Sequence, residues 1–369
     1  MNRAFSIYLD LVRFVAACLV YISHSNLRLL SMEPLPASAY GISSVTVFFV
    51  LSGFVIAYVT DNKENDWKSY TASRVSRIFS VALPAIFLTI VLDATGRQLY
   101  PNLYGEYPFD NFIVRGISSL LLLNEVWFVS ILSFSNVPFW SICYESWYYV
   151  GFALVIFLPK RAAYAAVTIL VLIIGPKILL LAPVWVFGVV LYRWSVLKSL
   201  SLSIAWIMVI GSVIGIFVFH YCGVRSTAAE YVKFVIGDEW KRQLVWSKYF
   251  LADYILGCLV FINFAGMRVV SISLSPLLFS IERPVRSLAG YTLSLYLLHQ
   301  PLLLFWGAVI RGNPAGYLYW WMTTGMVVLS VAAIGYVTEN KRHLLKRWLE
   351  HRLASLGQFI SNKCHALKY

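Results

Sequence analysis

The sequence predicts an all-α integral membrane protein, a bundle of about ten transmembrane helices, and three observations carry that prediction. Of its 369 residues, 60% are hydrophobic and only 13% charged, whereas a soluble domain has about 45 to 50% apolar and about 25% charged residues. The apolar residues gather in runs long enough to cross a bilayer. Most Lys and Arg fall in alternate connections between those runs. This composition excludes a cytosolic enzyme, a disordered chain and a coiled-coil or collagen rod.

A helix needs about 20 mostly apolar residues to cross the hydrocarbon core. Ten runs qualify, at roughly 9–30, 43–60, 78–96, 138–158, 162–181, 183–194, 200–222, 249–267, 288–310 and 317–338, the sixth being short and expected to begin earlier than its boundary at Pro183 suggests. The first begins after Arg3 and ends without a small-residue cleavage site, so it reads as a retained span. An eleventh candidate, 112–132, contains Arg115, Asn124 and Glu125. With the N-terminus inside and 112–132 not crossing, roughly two thirds of the 30 Lys and Arg lie on the inner side. If that segment crossed, the basic tail would face outward, against the positive-inside rule. The expectation is therefore cytoplasmic N- and C-termini, with a re-entrant or surface segment near 112–132.

Residues 1–340 then form one transmembrane domain and 341–369 a basic cytoplasmic tail, in which Lys341 to Arg352 suit an amphipathic helix on anionic lipid. The net charge of +13 is mostly topology, and no nucleic-acid partner is expected, because no aromatic-interleaved basic platform is present. The five Cys are scattered, without zinc or redox spacing.

Ionisable residues within the apolar runs are costly and mark candidate function. Arg13 and His24 are eleven residues apart on the first span, so they share a stripe about 16 Å long. On its own, Arg13 reads equally as an interfacial cation that snorkels, and His24 as a packed polar residue. Glu145 lies one to two turns into the fourth span, at about the depth expected for His24, where a carboxylate would orient the imidazole; the competing reading is a structural ion pair. His299 sits mid-span beside Pro301, with catalytic and structural readings both open. Arg74 and Arg77 share one helix face at the inner entrance of the third span and suit phosphate, or are ordinary positive-inside residues. Asp253 and the Ser52-Gly53 pair read as packing features.

Taken together and in order, these pieces resemble the membrane acyltransferase-3 family. The resemblance rests on Leu9-Asp10-Leu11-Val12-Arg13 with His24 beyond, on Phe48 to Phe54, on Arg74 and Arg77, on Trp140-Ser141 with Glu145, and on Ser294 to Pro301. It covers the chain from Tyr8 to about Val337. Two departures stand out: Leu11 where the family often has Gly, and Ser73 and Ser80 in the Arg74 and Arg77 segment.

The resemblance implies a stand-alone O-acetyltransferase type, without a fused SGNH domain. The implied activity is transfer of an acyl group, acetyl being expected, from cytoplasmic acyl-CoA to a hydroxyl of a surface polysaccharide or lipid-linked sugar, in the cell (inner, cytoplasmic) membrane. The expected catalytic residues are His24, Glu145 and His299. Arg13, Arg74 and Arg77 are expected to hold the CoA phosphates. Acetyl-CoA is a co-substrate and no metal is expected. The rival reading is a glycolipid or polysaccharide transporter using a His/Glu proton relay, for which a paired-repeat pattern is missing.

Overall fold

The computed structural model describes the chain except residues 31, 33, 34, 65 and 367–369, without the side chains of Lys198 and 356–366. It is helical throughout, with no strand among the described residues beyond one isolated bridge between Ser133 and Asn136. The helices are α1 (Arg3–Leu29), α2 (Gly41–Lys63), α3 (Trp67–Leu99), α4 (Phe112–Leu120), α5 (Phe139–Phe157), α6 (Lys160–Arg193), α7 (Leu202–Tyr221) and α8 (Val224–Ile236). They continue as α9 (Asp238–Gln243), α10 (Phe250–Ser273), α11 (Ser275–Ser280), α12 (Glu282–Ala289), α13 (Thr292–Ile310), α14 (Tyr317–Thr338) and α15 (Arg342–Ala366). Among the described residues eight helical stretches are long and apolar enough to cross a membrane, so this is an all-α membrane-type bundle.

Helix starts follow local chemistry. Asn2 accepts a hydrogen bond from the Phe5 N–H at 2.6 Å, and Asp66 one from Ser69 N–H at 2.8 Å, which caps α1 and α3. Close helix approach falls where side chains are absent. Gly53 and Gly188 bring the backbones of α2 and α6 together, since a Cβ on Gly53 would strike the Trp185 carbonyl and one on Gly188 the Val50 carbonyl.

The runs expected as separate spans at 162–181 and 183–194 form one element, α6, broken at Gly175 (φ 74°, ψ −177°) and not near Pro183. Only Gly accepts that backbone readily, whereas Pro183 is absorbed inside the helix. The two arms run in opposite directions. Lys160 starts beside the end of α5, Lys177 reaches the level of Glu125 and Ser247, and Arg193 returns beside Asp61 and the Phe152 ring. The fourth run is α5, which is not among the eight apolar stretches because Ser, Tyr and Glu dilute it.

Residues 112–132 hold only the nine-residue α4 followed by irregular chain, so no helix there is long enough to span. The irregular chain after α4 repairs broken helices. Pro176 cannot donate to the Leu172 carbonyl, and Trp127 Nε1 donates to it instead at 2.9 Å, while the Trp127 N–H reaches the Ile174 carbonyl. Pro301 likewise frees the Leu297 carbonyl, which accepts from Asn136 Nδ2 at 2.8 Å. Glu125 and Lys177, both essentially unexposed, pair at 2.8 Å and pin this segment to α6. Residues 121–138 therefore dip into the bundle, where buried carbonyls need donors. Within the tail Arg342–Ala366 forms α15, which packs along α3.

Candidate functional site

His24 on α1 and His299 on α13 face each other, with His24 Nδ1 2.7 Å from His299 Nε2 and the rings stacked at 4.9 Å. His299 is 1% exposed, and its Nδ1 lies 3.0 and 2.8 Å from the carbonyls of Leu295 and Tyr296. A carbonyl oxygen accepts only, so His299 Nδ1 carries the proton and, in the neutral ring, Nε2 holds the lone pair. That lone pair accepts the His24 Nδ1–H, which assigns the His24 lone pair to Nε2. Among the described residues His24 Nε2 has no hydrogen-bond partner, and His24 lines a cavity of about 410 Å³.

Glu145 is not beside His24. Its carboxylate accepts from Ser52 Oγ at 2.6 Å and from the Tyr149 hydroxyl, and it faces Arg13 and Arg77 electrostatically. The expected pairing fails because α5 starts deep. Val137, Pro138 and Trp140 line the His24 cavity itself, so Glu145, one to two turns further on, lines the adjoining space instead. His299 takes the place expected for Glu145. Ser52, read from sequence as packing, joins the carboxylate network, and Trp185 Nε1 donates to its hydroxyl at 3.2 Å. Tyr149 was missed, although it stands four residues after Glu145 on one helix face.

A second cavity, of about 600 Å³, opens at the end of the bundle where α1 begins. Arg13, Arg74 and Arg77 all line it, as do Lys63, Arg286, Arg342 and Lys346 from other elements. The three expected Arg are not equivalent. Arg74 is committed to Glu64 at 2.6 Å, both side chains nearly buried, so it serves the wall more than a ligand. Arg13 pairs with Asp10 at 3.3 Å. Arg77 has no ion pair among the described residues. At the rim, Arg3 donates to Glu282 at 2.5 Å and Arg286 at 2.9 Å, and these bonds hold the Glu282 carboxyl at about 2, well below its usual range.

A neck of about 60 Å³ lies between the two spaces and shares walls with both. Arg13, Arg77, Thr292 and Leu293 line both neck and basic mouth, while Val45, Phe49 and Tyr296 line both neck and histidine chamber. Glu145 lies in the neck. At its far side the chamber is walled by Trp140 and Trp246, stacked at 5.2 Å, and by Asp253, which accepts from Thr46 at 3.0 Å and Arg225 at 3.2 Å. Among the described residues no three His, Cys, Asp or Glu side chains gather as a metal site.

The described helices thus form a membrane-type bundle with a histidine chamber beyond a basic mouth. The family model described as an acyltransferase domain matches residues 6–339, so the chain belongs to the acyltransferase-3 family and is a membrane acyltransferase. No curated protein and no solved structure matches it.

Proposed function

We propose that the protein is a multi-pass O-acyltransferase of the cell (inner, cytoplasmic) membrane that moves an acyl group, acetyl by expectation, from cytoplasmic acyl-CoA to a hydroxyl of a surface polysaccharide or lipid-linked sugar. The observation that carries this reading is the succession of three cavities with shared walls, from the basic mouth past the neck to the chamber of His24. The mouth offers guanidinium forks to phosphates, and the neck suits a narrow thioester arm. The aromatic wall of the chamber offers flat faces to a sugar ring.

In this reading His24 Nε2 takes the proton of the acceptor hydroxyl as its oxygen attacks the thioester carbonyl carbon. The carbon–sulfur bond breaks, the proton passes to the leaving thiolate, and the products are an O-acyl sugar and free CoA. His299 holds the base in the tautomer this needs. A reading with ten spans, counting the arms of α6 separately and including α5, together with the excess of Lys and Arg on the inner side, supports a cytoplasmic mouth.

The test supplies labelled acetyl-CoA to inside-out vesicles and follows label into polysaccharide or lipid-linked sugar. Wild type transfers label, and His24→Ala, present at equal abundance in the membrane, transfers about 10² to 10⁴-fold less. Equal transfer by both overturns the proposal.

A further inference from the structure

Arg342 and Lys346 belong to α15, beyond the family-matched residues 6–339, yet both line the basic mouth. We propose that α15 completes the donor site by binding the 3′-phosphate of coenzyme A through these two side chains. This rests on the donor reading above and adds to it which residues read which phosphate.

Charge carries the first step. Seven Lys or Arg and three Asp or Glu line the mouth, an excess of four positive charges. The carboxylates are already engaged: Glu64 with Arg74, Asp10 with Arg13 and Arg286, and Glu339 with the Ser294 N–H at 2.8 Å. Among the described residues Lys63, Arg77 and Arg342 have no ion pair, and Lys346 has only a 3.6 Å exposed contact to Glu350 on its own helix. Arg342 lies within electrostatic reach of Arg77 and Arg74, which repel it, and of Glu339, which offsets part of that repulsion. Like charges held in one cavity destabilise it unless an anion occupies it. The diphosphate and 3′-phosphate of coenzyme A together carry about four negative charges.

Order along the path carries the second step. Arg13 and Arg77 line both neck and mouth, whereas Arg342 and Lys346 line the mouth alone. A thioester arm threading the neck sets the diphosphate, its immediate neighbour in the donor, at Arg13 and Arg77. The 3′-phosphate lies farther from the thioester and reaches the residues farther from the neck. Because α15 packs along α3, the helix of Arg74 and Arg77, its cations are held on the wall of this cavity.

The experiment compares acetyl-CoA with 3′-dephospho-acetyl-CoA as donors for the full chain in vesicles of neutral phosphatidylcholine and in vesicles containing phosphatidylserine. Wild type shows a lower KM for acetyl-CoA in both lipids. Arg342→Gln with Lys346→Gln loses that preference by on the order of tenfold, about the worth of one charge-assisted hydrogen bond, with kcat unchanged. Adenosine 3′,5′-bisphosphate protects wild type against thermal unfolding and no longer protects the variant. An unchanged KM ratio in the variant overturns the assignment to α15 and leaves the donor reading standing. A loss seen only with phosphatidylserine overturns it in favour of a lipid-docking helix. Wild type that uses neither thioester overturns the donor reading, and this inference with it.

Discussion

His24 and His299 act as a pair because each ring has one nitrogen already assigned. His299 spends its N–H on backbone carbonyls of its own helix, so the next proton along belongs to His24 Nδ1. Replacing His299 with Phe removes the acceptor and lets the His24 ring turn, and label transfer should fall about 10 to 100-fold with abundance unchanged; a fall in abundance alone would make the residue purely structural. Glu145 makes a contrasting prediction. Since its carboxylate engages Ser52 and Tyr149 and faces Arg13 and Arg77, Glu145→Gln should change the KM for donor several-fold and leave the pH profile of kcat where it was. A shifted kcat profile would restore the direct partnership with His24 that the geometry denies.

At the scale of elements, the segment 121–138 decides which residues meet. It supplies Trp127 and Asn136 to carbonyls freed by Pro176 and Pro301, and its depth sets where α5 begins. That depth moves Glu145 from the histidine chamber to the neck. The segment was marked as doubtful by Arg115, Asn124 and Glu125 and legible as non-spanning from the sidedness of the Lys and Arg, but its depth was not legible, because loop residues carry no periodicity that measures how far they dip. The partner of Glu125 was hidden for a related reason: Lys177 lies more than fifty positions away in an apolar run. Packing between α2 and α6 depends on bare backbone. Gly188→Ala should destabilise the bundle by about 1 to 3 kcal/mol, read as a lower Tm in detergent, and an unchanged Tm would show that the α2 backbone yields.

For the whole molecule, charge sorts by end. The mouth gathers cations from α1, α2, α3, α12 and α15 into one cavity, a convergence that extends the sequence-level asymmetry of basic loops. In a chain whose own five Cys are replaced by Ser, Lys346→Cys should react with a membrane-impermeant maleimide only in inside-out vesicles. Labelling in right-side-out vesicles would reverse the orientation and with it the donor side.

The sequence by itself determined the membrane class, most of the run positions, though not the break at Gly175 within α6, the non-crossing 112–132 segment and the set of rare ionisable residues, because hydropathy and span length act locally along the chain. It placed Arg13 and His24 on one stripe because both ride a single helix of known rise. Only the tertiary structure decided that His24 meets His299 and not Glu145, that Arg74 is spent on Glu64 while Arg77 is left to the cavity, and that the tail joins the mouth. Those outcomes depend on where separate helices start relative to one another. That depth is set by broken backbones seeking donors across the bundle, which no local pattern records.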